Sequence, residues 1–241
     1  MTEASDLALS PQAVTSKPAK RGAEWLPPTG LILLSLVPIA AGASRLTQLA
    51  TGAVSADNTR FFDSPVPVVV HIVSVTVFSL LGALQFAPSL RRHHWHRRAG
   101  RIVAPAGLLA ALSGLWMAIF YALPAHDGAA LLVLRLVFGS AMAASIVIAF
   151  AAIRRGDVRT HSAWMTRAYA IGLGAGTQVF TGLVAFLLVG EPDATTWAVA
   201  MGAAWVINLA VAEFVIRRRA ARSRPASRTS GRSAAVSAHL S

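Results

Sequence analysis

Apolar residues in this chain do not alternate with polar ones as they do on a surface helix. They run together in blocks of around twenty, at about 29–49, 67–90, 102–123, 130–153, 168–190 and 195–216. A block of that length crosses a hydrocarbon core of about 30 Å at about 1.5 Å per residue. The pattern predicts an all-α membrane protein, a bundle of six transmembrane helices. Pro27 and Pro28 precede the first block, and Pro124, Gly128, Gly156, Glu191 and Pro192 punctuate later turns. The connections are short enough to make consecutive helices antiparallel neighbours. No span is visibly interrupted by glycine and proline together.

Charge adds an orientation to this pattern. The chain is 55% hydrophobic and only 13% charged, with a formal net charge of +12; a soluble domain would carry roughly a quarter charged residues. In a soluble protein such an excess would point to nucleic acid. Here it sits between the apolar blocks, so no nucleic-acid partner is expected. Nineteen of the 22 Lys and Arg residues fall on one side: the N-terminal arm, the 2–3 and 4–5 connections and the C-terminal tail. Only Arg45, Arg60 and Arg135 fall on the other. The positive-inside rule then places both termini in the cytoplasm. Residues 1–26 lack the apolar core of a signal peptide and read as a disordered cytoplasmic arm. Residues 27–219 form the transmembrane domain, and 220–241, rich in Arg and Ser, a disordered basic tail.

The absence of cysteine excludes disulfides, thiolate metal sites, iron–sulfur clusters and cysteine nucleophiles. There is no Ser-His-Asp order, no HExxH and no pair of intramembrane carboxylates, so an enzymatic role is not favoured. Small residues recur at helix-packing spacing: Gly107, Ala111 and Gly114; Gly139 and Ala143; Gly172, Gly174, Gly176 and Gly182. They suit close helix contact, or a fifth helix thinned to admit a flat cofactor or a substrate path. In the second block His71, Ser74, Phe78, Gly82 and Gln85 lie within about 80° of one another on a helix. His71, Ser74 and Gln85 thus form a candidate polar path, with His71 either a proton relay or a histidine bonded to a neighbouring helix. Asn208 is expected to bond across helices, and Glu213 to pair with Arg217 one turn on.

Two segments on the basic side carry histidine: LRRHHWHRRAGR (90–101) and RRGDVRTHSAWMTR (154–167). Read as loops, they bring imidazoles among arginines. That field opposes a metal cation, so no metal ligand set is assigned. It favours anions such as lipid headgroups, at Arg91, Arg92, Arg97, Arg98, Arg101, Arg159 and Arg167.

The segments RFFDSPVPVVVHI (60–72), LGALQFAPSLRR (81–92), HRRAGR (96–101), ALSGLWM (111–117) and RTHSAWMTRAYAIG (159–172) are together distinctive. The chain over about 60–216 resembles the uncharacterised bacterial membrane-protein family called domain of unknown function twenty-three-oh-six. The resemblance implies a multi-pass protein of the bacterial cell membrane. It implies no reaction.

Three functions are compatible with these residues. A non-enzymatic accessory protein would bind lipid, anionic headgroups or a membrane-protein partner, with Trp95 and Trp164 at the headgroup layer. A b-type haem or quinol-linked electron carrier would use haem b held by His71 with His126 and by His96 with His161. A small proton-coupled transporter would use the His71–Gln85 stripe.

Overall fold

The computed structural model describes residues 25–91, 94–124 and 126–222, without the side chain of Arg91. The expected arm up to residue 24 and the expected tail beyond Arg222 lie outside those residues. Every described element is a helix: α1 Leu26–Thr51, α2 Thr59–Asp63, α3 Pro65–Leu84, α4 Pro88–Arg91, α5 His94–Phe120, α6 Gly128–Arg154, α7 Val158–Gly172, α8 Gly174–Val189 and α9 Ala194–Arg222. Five of them (α1, α3, α5, α6 and α9) are long and apolar enough to cross a membrane. The pair α7 and α8 adds a further candidate span, bent by 43° at its junction.

Local chemistry explains the boundaries. Prolines stand in the first turns of α1 and α3, where a missing N–H costs nothing. Gly52, with φ +73°, caps α1 in the left-handed region that glycine adopts without strain. Asp157 caps α7 by accepting from the Thr160 amide at 3.0 Å. Its carboxyl is held below the usual carboxylate range, first by hydrogen bonds from Thr160.

Several boundaries correct the expectation from hydropathy. The second span stops at Leu84, and a turn at 85–87 leads into α4. The HRRAGR segment is not loop but the first turns of α5 from His94. RTHSAWMTR is likewise helical, within α7. The tail stays helical through Arg222. The fifth span, expected to be continuous, is broken at Leu173 between Gly172 and Gly174. Charge misleads hydropathy at HRRAGR and RTHSAWMTR because helix formation needs backbone hydrogen bonds, not apolar side chains.

The helices pack up-and-down. α3 lies against α5 and α1, α6 against α5, α7 and α9, and α8 against α9 and α1. We refer to the end holding the start of α1 and the end of α9 as the terminal end, and to the other as the distal end. The main core gathers Phe78, Val103, Ala106, Met142, Ile146, Ala168, Tyr169 and Ile171. Phe78 is fully buried. A methyl group added at Gly107 or Gly172 would collide with its ring, and one at Gly82 with the Tyr169 ring. Gly176 lies so close to the Leu34 carbonyl that no side chain fits there. Gly82, Gly107, Gly172 and Gly176 therefore serve close packing.

Across helices, Asn208 behaves as expected: it accepts from Thr177 Oγ1 at 2.8 Å and donates to the Ala170 carbonyl at 3.1 Å. These bonds tie α9 to both sides of the α7–α8 break. Glu213 does not take Arg217 as its hydrogen-bond partner. It accepts from Arg167 Nε at 2.5 Å, joining α7 to α9.

Candidate functional site

The distal half of the bundle is hollow. A cavity of about 390 Å³ lies among α3, α5, α6, α8 and α9. Pockets for small molecules run from about 300 to 1,000 Å³. Arg60, Tyr121, Leu123 and Asp127 stand at its distal rim, and Met142, Ile171, Gly172 and Trp205 at its inner end, beside the α7–α8 break. Small residues (Ala110, Ala111, Gly114, Ala118 and Ala175) make much of the remaining wall. Phe138 and Trp205 stack with centroids 4.7 Å apart and planes 22° from parallel, and both line the cavity.

His71 is the one imidazole on the cavity wall among the described residues. α3 brings it against α5, where Nδ1 lies 2.9 Å from the Ala110 carbonyl and 3.2 Å from Ser113 Oγ. The carbonyl can only accept, so Nδ1 carries the hydrogen. In the neutral ring Nε2 then holds the lone pair. The Ser113 hydroxyl gives its own hydrogen to Leu109 O, 2.6 Å away, leaving its oxygen to accept from His71.

At the rim, Asp127 is almost completely buried and its carboxylate meets Arg135 at 2.6 Å. A buried carboxylate left alone would be costly, and Arg135 offsets that cost. Tyr121 donates to the Ser64 carbonyl at 2.5 Å, closing α5 onto the turn before α3. Arg60 lies over the Phe61 ring at 4.7 Å.

The other expected site residues fall elsewhere. Ser74 is buried below His71, and Phe78, fully buried, occupies the stretch of α3 between Ser74 and Gln85. Neither Ser74 nor Gln85 lines the cavity. His126 is 63% exposed and lies 3.5 Å from Asp127. Its ring meets Trp197 edge-on and does not line the cavity. At the terminal end His161 donates from Nδ1 to the Ala149 carbonyl at 2.9 Å, and His96 is half-buried on α5. No group of three His, Asp or Glu side chains among the described residues could hold a metal ion.

Arg97, Arg98, Arg101 and Arg159 are exposed at the terminal end. Arg167 is not: it is held by Glu213 and stacked 4.6 Å over Trp164. The side chains of Arg91 and Arg92 lie outside the described residues.

Hydropathy reasoning passed over Gln178, Phe138 and Trp205. Gln178 carried a signal, as an uncharged amide inside an apolar block. The aromatic pair carried none, because its partners are 67 positions apart and helix phase alone does not bring them together.

Comparison with protein families matches residues 68–216, described as "Predicted membrane protein (DUF2306)". The match covers more than half of the chain, and the chain belongs to that family. Every wall residue of the cavity except Arg60 and Phe61 falls inside the matched segment. No curated protein and no solved structure matches the chain.

Proposed function

We propose that this is a non-enzymatic, ligand-binding protein of the bacterial cell membrane, whose distal cavity holds one amphipathic molecule. The observation that carries the reading is the cavity itself. It is about 390 Å³ in volume, mostly apolar, and furnished with a few convergent polar groups, His71, Gln178 and the Asp127–Arg135 pair. We take α7 and α8 as one bent span, which makes six. The arginine distribution supports both termini in the cytoplasm, with the cavity rim on the outer side. The exposure of Arg97, Arg98, Arg101 and Arg159 supports contact with anionic lipid headgroups on the inner side, each worth about 1 kcal/mol, with Arg91 and Arg92 beside them in sequence. A membrane-protein partner would dock on the same lipid-embedded surface.

The bent span favours a second reading, that of a carrier. The 43° break stands beside the inner end of the cavity, and discontinuous helices at midplane sites are a device of transporters. Haem b has less support. A bis-histidine haem needs two imidazoles on one space, and the cavity offers His71 without His126.

The test is thermal unfolding of the detergent-purified chain with and without an apolar extract of the cells that produced it. The reading expects a higher midpoint with extract for the wild type and no change for Gly114→Leu, which fills the wall beside His71. Equal midpoints with and without extract in the wild type would refute it. A reporter active only in the cytoplasm, fused after Arg219, should be active; silence there would overturn the orientation. A Soret band of near-stoichiometric intensity in the purified protein would restore the haem reading.

A further inference from the structure

Charge on the cavity wall does not cancel, and the excess stands at the rim. Resting on the ligand-binding reading above, we propose that the ligand is an amphiphilic monoanion, a single apolar chain ending in a carboxylate that Arg60 receives at the rim.

Among the described residues, the Arg, Lys, Asp and Glu side chains on the wall are Arg60, Arg135 and Asp127. Arg135 and Asp127 neutralise each other at 2.6 Å. Arg60 forms an ion pair with no described carboxylate. Asp57 and Asp63 belong to the same stretch of chain but are exposed and do not pair with it. One Arg60 N–H reaches the Ala122 carbonyl at 3.4 Å. The guanidinium has further N–H donors in a planar fork, and that fork fits a carboxylate.

A second guanidinium stands close by. Arg45 lies 4.5 Å from the centre of the Phe61 ring, and Arg60 lies 4.7 Å from the same point. Phe61 itself lines the cavity and meets Tyr121 at the rim. Arg45 donates to the neutral amide of Gln48 at 2.6 Å and has no carboxylate either. Two like charges gathered on one ring repel, and an anion beside them relieves that repulsion. A cationic head would add to it, and a neutral head would leave it unchanged.

The inner wall sets the rest of the molecule. His71, Gln178 and the Trp205 indole offer lone pairs and N–H groups alike, so they do not select a head group. Val75, Leu115, Met142 and Ile171 are apolar. An apolar chain gains by leaving water there, whereas a charged head moved inward would lose hydration without a counter-ion. The head therefore stays at the rim and the chain runs inward. A volume of about 390 Å³ is at the small end of ligand pockets, which suits one chain rather than a two-chain lipid.

The test is equilibrium dialysis of the full chain in non-ionic detergent against protein-free micelles, with labelled octanoate, 1-octanol and octylammonium. At about pH 8 the acid is ionised and the amine protonated, so the three share a chain and differ in charge. The proposal expects octanoate to bind about tenfold tighter than octanol, the scale of one charge-assisted hydrogen bond, and octylammonium to bind weakest. In Arg60→Gln the preference should fall to within about twofold while octanol binding persists; Arg60→Lys should retain part of it. Arg45→Gln should lower it by a smaller factor, and keeps the test open if Arg60→Gln does not fold. Equal binding of octanoate and octanol overturns the proposal, as does a preference that survives Arg60→Gln. Tighter binding of dioctanoyl phosphatidylglycerol than of octanoate overturns the single-chain class. If octanol binds without a preference for octanoate, and Gly114→Leu abolishes that binding, the anion falls and the cavity reading stands. If none of the ligands binds, the class is wrong, and stabilisation by cell extract decides the cavity reading separately.

Discussion

The same helices build a filled half and a hollow half of this bundle, and small residues are abundant in both. At the terminal side Gly82, Gly107 and Gly172 each face a large ring, Tyr169 or Phe78, and the rings occupy the space the missing side chains leave. At the distal side Ala111, Gly114 and Ala118 form one face of α5 and Ala175 belongs to α8, and all four line the void. A small residue in a membrane helix is therefore not a packing signal by itself. What matters is whether the opposite wall supplies a side chain to fill the gap. Gly172 belongs to both halves, touching the Phe78 ring on one side and the cavity on the other. It immediately precedes the break at Leu173.

This contrast can be broken from the filled side first. Phe78→Ala empties the centre of the core, and should destabilise the protein by about 3–5 kcal/mol. It should show as a large drop in thermal midpoint and in yield of monodisperse protein. A small drop would mean that the terminal half tolerates voids as the distal half does, and the comparison would lose its basis.

Next in size is the rim. Asp127→Asn leaves Arg135 without its carboxylate. Arg135 is partly exposed, so the loss should be roughly 1–3 kcal/mol, less than a fully buried pair would give. The double variant Asp127→Asn with Arg135→Gln should recover part of it, and a double-mutant cycle measures the coupling. Additive losses would show that the pair does not act as a unit.

Gly114→Leu sharpens the contrast from the hollow side. A Cβ there meets nothing within 4 Å except the edge of the His71 ring, at 3.2–3.4 Å. The His71 ring must give by a few tenths of an ångström, so the loss should be about 1–3 kcal/mol, below that of Phe78→Ala, while ligand-dependent stabilisation disappears. A collapse in stability comparable to that of Phe78→Ala would show that the distal half is as tightly packed as the other.

The smallest expected effect lies outside both halves. Asp157→Ala removes the cap of α7 and should lower the thermal midpoint slightly. Because the folded-state carboxyl of Asp157 is held low by Thr160, its contribution is present at neutral pH. It is lost as pH falls below the ordinary aspartate value of about 3.9. Wild type and variant should converge in acid; a gap independent of pH would assign the effect to something other than the charged cap.

Hydropathy made the helical class and the approximate spans legible because apolar length is a property of each segment alone. Asn208 was legible for a related reason: a polar amide in lipid must find a partner, and it found two. The cavity was not legible, since a void depends on which faces meet. His71 stood out as an ionisable group in an apolar block. Its companions on the helix stripe, Ser74 and Gln85, do not reach the cavity, whereas Gln178 and Trp205 come to it from other helices. Helix phase identifies a face but not what lies across from it. The break at Leu173 is not legible because Gly172 and Gly174 flank it without a proline, and close glycines in membrane helices also mark tight contacts.

The most direct test of a ligand-binding distal half is native mass spectrometry of the chain released from its own membranes in mild detergent, wild type beside Gly114→Leu. The account predicts one small bound molecule per wild-type chain that survives delipidation and is missing from the filled variant. The same adduct in both, or none in either, would contradict it.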